Sequence, residues 1–354
     1  MTMISDEREE SLRMIRESAA GFATREGDRK RIRALRFQSP GFDRDVFGQM
    51  AAQGWIGLRV PENKGGVELG TAEYCALAEE LGAALTPEPL IPAALSAVLL
   101  AAANFNGLDA ILAGERYIVT AWQDTPATLQ DSAAPGSTRL FLPYAGGADG
   151  FLVPVRTGGK LALYFQSAQG ANLSLEETQD GGTFGTLRPS GGTMVLDDLG
   201  DVLANALDEA ALATAAALLG VMSQAFELTL DYLRTRQQFG KLIGAFQVLQ
   251  HRAADLKLQI ALTRASINAA ARVLDNPNSP RTARHAAVAA AKARASDAAM
   301  LVTRQAIQLH GGIGYTDEAD IGLYLRKAMT LANQFGSARV HRRRYALYAR
   351  EDEE

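Results

Sequence analysis

The 354-residue chain is short of residues that staple a fold or ligate a metal. It has one cysteine, Cys75, which excludes an internal disulfide and fits a reducing compartment. Four histidines beside that single thiol leave little material for a dedicated metal centre. An excess of one charge is also missing: 36 basic side chains stand against 40 acidic ones. Nothing in that balance points to nucleic acid or to a disordered acidic tail. Long apolar runs are absent. The longest, near Ala93–Ala103, is well under the roughly 20 residues that a membrane-spanning helix needs. The opening MTMISDEREESLRMIRESAAGF is charged and lacks the apolar stretch of a secretory signal. These absences predict a cytoplasmic protein with no membrane span. Internal repeats and low-complexity tracts are lacking as well.

What is present is enough apolar material for a sizeable core, 47% of residues, in a chain about two conventional domains long. Three regions follow one another. Residues 1–115 carry helical spacing, first at Leu12, Ile15, Ala19 and Phe22, with Asp6 and Glu9 placed as a cap. A break falls at Ser39-Pro40-Gly41, a second helix pattern begins near Phe42, and a loop runs from Gly54 to Gly66. Helical pattern resumes over Glu73–Ala84 and from Leu90 onward. Residues 116–205 change to short apolar runs, Tyr117–Trp122, Arg139–Leu142, Gly150–Pro154 and Leu161–Phe165, separated by Gly, Asp, Ser and Pro. That pattern predicts a small antiparallel β domain. Residues 206–354 return to helix, with alanine dense at 204–217 and 286–299 and a turn at Asn276–Pro280. Small alanine faces let helices pack closely, as in a bundle.

Two segments of this last region carry chemistry. In Gln308-Leu-His-Gly311-Gly312-Ile-Gly314-Tyr315, three glycines in four positions let backbone N–H groups approach an anion closely. The same glycines also read as the cap and turn that close a helix. In Arg236-Gln-Gln-Phe239-Gly240-Lys241, followed by Phe246-Gln247, Arg236 is a permanent forked donor suited to phosphate, and the two phenylalanines offer stacking faces. Taken alone, that segment also reads as a basic helix end with two core aromatics.

Together, and in this order, the segments resemble the acyl-CoA dehydrogenases. Arg236–Gln250 is similar to that family's arginine-phenylalanine-glycine motif, and Gln308–Tyr315 to its glutamine-glycine-glycine motif. Gly54–Glu62 with Gly65-Gly66 looks like its first-domain loop. The resemblance covers nearly the whole chain. It implies a mainly α fold: an N-terminal helical domain (1–115), a middle β domain (116–205) and a C-terminal four-helix bundle (206–354). It also implies that Arg236, Phe239, Phe246, Gln247, Gln308, Gly311 and Gly312 bind the ADP part of an FAD seated mainly in a neighbouring subunit, and hence an oligomer, a tetramer in this family. The substrate implied is an acyl-CoA, oxidised to a trans-2-enoyl-CoA, with an electron-transferring flavoprotein as acceptor.

The chain departs from the family in two places. The resemblance implies a glutamate base some twenty residues past the glycine segment, within Asn333-Gln334-Phe335-Gly336-Ser337; that position is Phe335, which accepts no proton. The family's alternative base position falls on Ala210, with Glu209 beside it. One residue turns a helical side chain by about 100°, so Glu209 serves only if the alignment slips. Asp208-Glu209 otherwise reads as an acidic first turn favoured by the helix dipole. In the β region, the implied flavin cradle is replaced by Thr120–Pro126, and no following Gly-Ser-Asp is recognisable. Trp122 is offered there either as a stacking ring or as a core residue.

Both departures lead to the expectation of a partner subunit. It would complete an FAD site in a heteromeric complex whose catalytic chain is a paralogue, as in bacterial complexes acting on steroid side chains. A self-sufficient homotetramer with a displaced base and a flavin-free helical scaffold are the alternatives.

Overall fold

The computed structural model describes residues 2–23, 29–126, 129 and 133–351; for 2–8 and 350–351 it describes the backbone alone. The Asp6–Glu9 cap lies outside the described side chains. Among the described residues, eleven α-helices and nine strands follow in chain order. The first six helices are α1 (Thr2–Phe22), α2 (Arg29–Leu35), α3 (Arg44–Ala52), α4 (Thr71–Ala83), α5 (Leu90–Ala102) and α6 (Leu108–Leu112). Seven strands come next: β1 (Ile118–Thr120), β2 (Arg139–Pro143), β3 (Gly150–Thr157), β4 (Lys160–Ser167), β5 (Asn172–Glu177), β6 (Thr183–Arg188) and β7 (Thr193–Leu196). The remainder comprises α7 (Val202–Thr235), β8 (Gln237–Gln238), β9 (Lys241–Leu242), α8 (Gln247–Asp275), α9 (Arg281–His310), α10 (Ile321–Asn333) and α11 (Ala338–Glu351).

The chain divides into two compact units. One holds Met1–Lys30, Thr71–Thr86 and Ala211–Glu354; the other holds Arg31–Gly70 and Pro87–Ala210.

In the first unit, α9 is the central post. Its buried stripe of Ala286, Ala289, Ala293, Ala295, Ala299 and Ala306 lets α8, α10 and α11 pack close around it. Helices α4 and α7 approach still more closely. A Cβ on Gly82 would run into the Ala217 carbonyl, and one on Gly220 into the Glu79 carbonyl. Glu79, almost fully buried, is answered from two helices, by Arg16 at 3.0 Å and by Arg264 at 2.6 Å. The N-terminus of α4 has a distant cap: the Asp275 carboxylate, at the end of α8, accepts from the Thr71 and Ala72 N–H groups at 2.6 and 3.3 Å. Burial lowers the Lys292 amine in α9 to about 7.

The second unit contains two sheets, ordered β1-β3-β4-β7 and β2-β6-β5. All pairings are antiparallel except β1 with β3, which is parallel. The four apolar runs foreseen in the sequence correspond to β1–β4. Strands β5–β7 went unforeseen; β5, Asn172-Leu-Ser-Leu-Glu-Glu177, is polar and largely exposed, and β7 is only four residues long. The first turn of α3 is capped by Asp43, whose carboxylate accepts from Asp45 N–H at 2.9 Å.

The apolar stretch that matters most for membrane crossing is α7 rather than 93–103. It is the one described helix long and apolar enough to cross a bilayer, but 78% of its apolar window is buried inside the protein, as in a core helix.

Candidate functional site

The arginine segment folds into a structure of its own. Helix α7 ends at Thr235, and the Arg236 N–H still donates to the Tyr232 carbonyl at 2.9 Å. The chain then reverses in a two-residue hairpin, with Gln237 opposite Leu242 and Gln238 opposite Lys241. At its tip Phe239 and Gly240 both have left-handed backbone, φ 54° and 77°. That geometry matches strand twist, and it suits Gly240. For Phe239 it costs about 1 kcal/mol or more. The ring gains no burial in exchange, being 90% exposed.

Phe246 meets Phe239 edge-on, with centroids 6.2 Å apart, and lies 4.2 Å beneath the Lys241 ammonium. Phe246 also occupies the N-cap position of α8, so the first turn of that 29-residue helix has no side-chain cap. Its N–H groups carry the positive end of the helix dipole. Gln247 begins the helix and is exposed, as is Arg236, whose guanidinium has no hydrogen bond or ion pair among the described residues. A cation, two aromatic faces and an open helix N-terminus thus stand within a dozen residues, a set suited to a phosphate with an attached flat ring.

The glycine segment closes α9. Gly311 has φ 68° and ψ −146°, a region that glycine alone occupies readily. The three glycines do different work. A Cβ on Gly314 would lie 2.7 Å from the Ile307 carbonyl, so Gly314 serves internal packing. Around Gly311 and Gly312 nothing lies within 4 Å of such a Cβ, and both are exposed, leaving their backbone open to a ligand. Gln308 is exposed one turn earlier.

The two segments are tied by a contact that the sequence reading missed. Tyr232 stacks on His310, with centroids 4.5 Å apart and 20° between planes. Tyr232 lies one turn before Arg236, and His310 lies immediately before Gly311. His310 Nδ1 is 2.8 Å from the Ala306 carbonyl, and burial lowers the His310 pKa. A stacked pair of this kind fixes the end of α7 against the end of α9. An aromatic four residues before the arginine and another beside the glycines was the available signal.

The catalytic positions have a different character. Phe335 is 5% exposed and has left-handed backbone, φ 52°, between α10 and α11. Glu209 is held by Arg59 through both oxygens, at 2.9 Å from Nε and 2.7 Å from Nη2. The third Arg59 nitrogen donates to the Leu69 carbonyl. The carboxylate is thus held in a two-point, charge-assisted ion pair. In the β region Trp122 is buried in the core. Asp124 forms an interior ion pair with Arg139 at 3.2 Å, which Ser137 joins.

Comparison with known proteins shows the family of the chain. Residues 9–108 match the model of the acyl-CoA dehydrogenase N-terminal domain, and residues 200–347 match that of the acyl-CoA dehydrogenase C-terminal domain. The chain belongs to the acyl-CoA dehydrogenase family. Among its relatives is the acyl-CoA dehydrogenase IpdE2 of Mycolicibacterium smegmatis, 30% identical over 96% of this chain and 98% of that one. IpdE2 of Mycobacterium tuberculosis is 29% identical over 95% and 96%. Among solved structures, a variant of the Tcur3481–Tcur3483 steroid ACAD aligns with TM-score 0.85 and 26% identity, covering 99% of both chains. The ChsE4–ChsE5 complex of Mycobacterium tuberculosis aligns with TM-score 0.81 and 25% identity, covering 97% of both. The acyl-CoA dehydrogenase fold, mainly α with small sheets between two helical parts, is therefore the fold of this chain, and its family comprises oxidoreductases that act on the CH–CH bond of acyl-CoA.

Proposed function

We propose that this chain is a partner subunit of a heteromeric acyl-CoA dehydrogenase, supplying the ADP-side half of an FAD site to a catalytic paralogue. One observation carries the reading. Arg236, Phe239, Gln308, Gly311 and Gly312 are exposed around an open backbone, whereas Phe335 offers no base and Glu209 is tied to Arg59. The names of two similar structures, the Tcur3481–Tcur3483 steroid ACAD and the ChsE4–ChsE5 complex, support a two-chain assembly.

In this reading the Arg236 guanidinium neutralises the pyrophosphate, and the Gly311 and Gly312 backbone allows its close approach. Phe239 and Phe246 offer faces to the adenine, and Gln247 and Gln308 supply amide donors and acceptors. Bound FAD supplies the hydride acceptor for oxidation of an acyl-CoA to its trans-2-enoyl-CoA. The α-proton goes to a base on the catalytic chain, because position 335 here holds none. An electron-transferring flavoprotein removes the electrons, and the complex works in the cytoplasm. The segments 1–115, 116–205 and 206–354 are the modules of the subunit.

The test compares the chain purified alone with the chain co-expressed with a family paralogue from the same source. Flavin absorbance and acyl-CoA-dependent reduction of an artificial electron acceptor are recorded for both. The expected result is a colourless, inactive single chain and a yellow, active complex that loses most of its flavin on Arg236→Ala. A yellow and active single chain favours the self-sufficient homotetramer and overturns the proposal. Unchanged flavin content in the Arg236→Ala complex overturns the site assignment.

A further inference from the structure

The connection between α10 and α11 has a conformation that its own residues do not explain. Helix α10 ends at Asn333, and its Thr330 carbonyl accepts from the Gln334 N–H at 3.2 Å. Phe335 and Gly336 then take φ 52° and 97°. Glycine accepts such backbone readily, but a large aromatic side chain adopts it rarely and only where its surroundings impose it.

The surroundings here are two buried side chains from other helices. Lys292 of α9 is fully buried, and its Nζ lies 3.1 Å from the Gly336 carbonyl and 3.2 Å from the Leu331 and Ala332 carbonyls. It is also 3.1 Å from Ser296 Oγ, which in turn donates to the Ala332 carbonyl at 3.2 Å. Leu331 and Ala332 are among the last four residues of α10, whose carbonyls find no partner inside the helix. The usual remedy is for the chain to fold back over the helix end and offer its own N–H groups. Here Lys292 adds donors to that helix end from the interior. His341 of α11 is also fully buried, and its Nε2 lies 2.8 Å from the Phe335 carbonyl. Consecutive carbonyls, at 335 and 336, are therefore held by side chains from α11 and α9.

We infer that Lys292, with His341, is the positioning residue of the 334–336 turn: the bundle interior sets the backbone at Phe335, whatever side chain that position carries. The inference is independent of FAD and of any partner chain. It explains how position 335 keeps a left-handed turn while holding phenylalanine. The frame belongs to α9 and α11, and the side chain at its apex is free to differ.

The experiment is a double-mutant cycle read by amide hydrogen exchange of the full chain over residues 331–341, with α9 as internal reference. Lys292→Met removes the donors at similar volume. In the wild-type background it is expected to speed exchange of the turn about ten-fold or more relative to the reference. In a Phe335→Gly background, where left-handed backbone costs nothing, the same change is expected to speed it by less than about three-fold. Ser296→Ala, a milder variant, is expected to give a smaller acceleration confined to the same segment if Lys292→Met does not fold. Equal losses in both backgrounds, or an effect of either variant spread evenly over the chain, would overturn the inference.

Discussion

Neighbouring residues of one composition do separate jobs here, and the difference is measurable. Gly312 and Gly314 lie two positions apart, one open to solvent and one pressed on the Ile307 carbonyl. Gly314→Ala is expected to lower stability by about 1–3 kcal/mol, as overpacking does. Gly312→Ala should leave the urea midpoint of the single chain unchanged yet reduce flavin retention in the complex. If both variants lower stability alike, the division of labour is wrong. Glu209 makes a second residue-scale case. Glu209→Ala removes the carboxylate that accepts from both Nε and Nη2 of the Arg59 guanidinium. The expected cost is about 2 kcal/mol in denaturant unfolding. If, as proposed, the base belongs to the other chain, the complex should still turn over substrate. Abolished turnover at unchanged flavin content would instead make Glu209 the base.

At the scale of elements, helices bounded by Pro, Gly or Asn turns were legible in the sequence. The run from Glu73 to Ala84 and the start at Leu90 correspond to α4 and α5, and the turn at Asn276–Pro280 separates α8 from α9. Elements whose stability comes from elsewhere were not legible. Strand β5 has no apolar run, because it is held by pairing with β6 from Asn172 opposite Arg188 to Glu177 opposite Thr183. The β8–β9 hairpin is two residues on each side, too short for periodicity to register. The two segments of the proposed half-site stand out in the sequence, but the Tyr232–His310 stack between them does not, because stacking depends on where two helices end. Lys292 was invisible for a similar reason: a lysine in an alanine-rich helix reads as a solvated charge. Its burial has a pH consequence. The unfolded chain holds the Lys292 proton up to the ordinary lysine value of 10.5, whereas the native chain gives it up near 7. Between these values the unfolded state binds more protons, so this group makes stability rise with pH, by up to about 1.4 kcal/mol per unit. The contribution is complete above 10.5 and is lost as pH falls towards 7. Urea midpoints between pH 7.5 and 9.5 should therefore climb more steeply for the wild-type chain than for Lys292→Met. Parallel curves would contradict this.

For the whole molecule, large exposed apolar side chains are spread along the chain, and five of the sixteen among the described residues stand at or beside the two segments of the proposed half-site. Phe239, Leu242, Val248, Ile313 and Tyr315 are all exposed, and all belong to the two half-site segments or the residues beside them. A chain that worked alone would have little reason to keep a 90% exposed phenylalanine on strained backbone. Phe239→Asp is expected to leave the single chain as stable as before, or slightly more so, because aspartate tolerates left-handed backbone better. It should weaken association with the catalytic paralogue, seen by light scattering as a shift to smaller species. Unaltered assembly would remove Phe239 from the interface.

The cap that Asp275 places on α4 also orders events in time. Asp275 follows Thr71 by 204 residues. At about 5–20 residues per second, the ribosome needs about 10–40 s to make that stretch. Throughout that interval the first turn of α4 is outside or emerging from the ribosome without its acceptor. Met1–Lys30 waits beside it, since the remainder of its compact unit begins at Ala211. The intervening unit, Arg31–Gly70 with Pro87–Ala210, is synthesised in full before then. Translation therefore favours folding from the middle outward, with the two ends of the chain joining last.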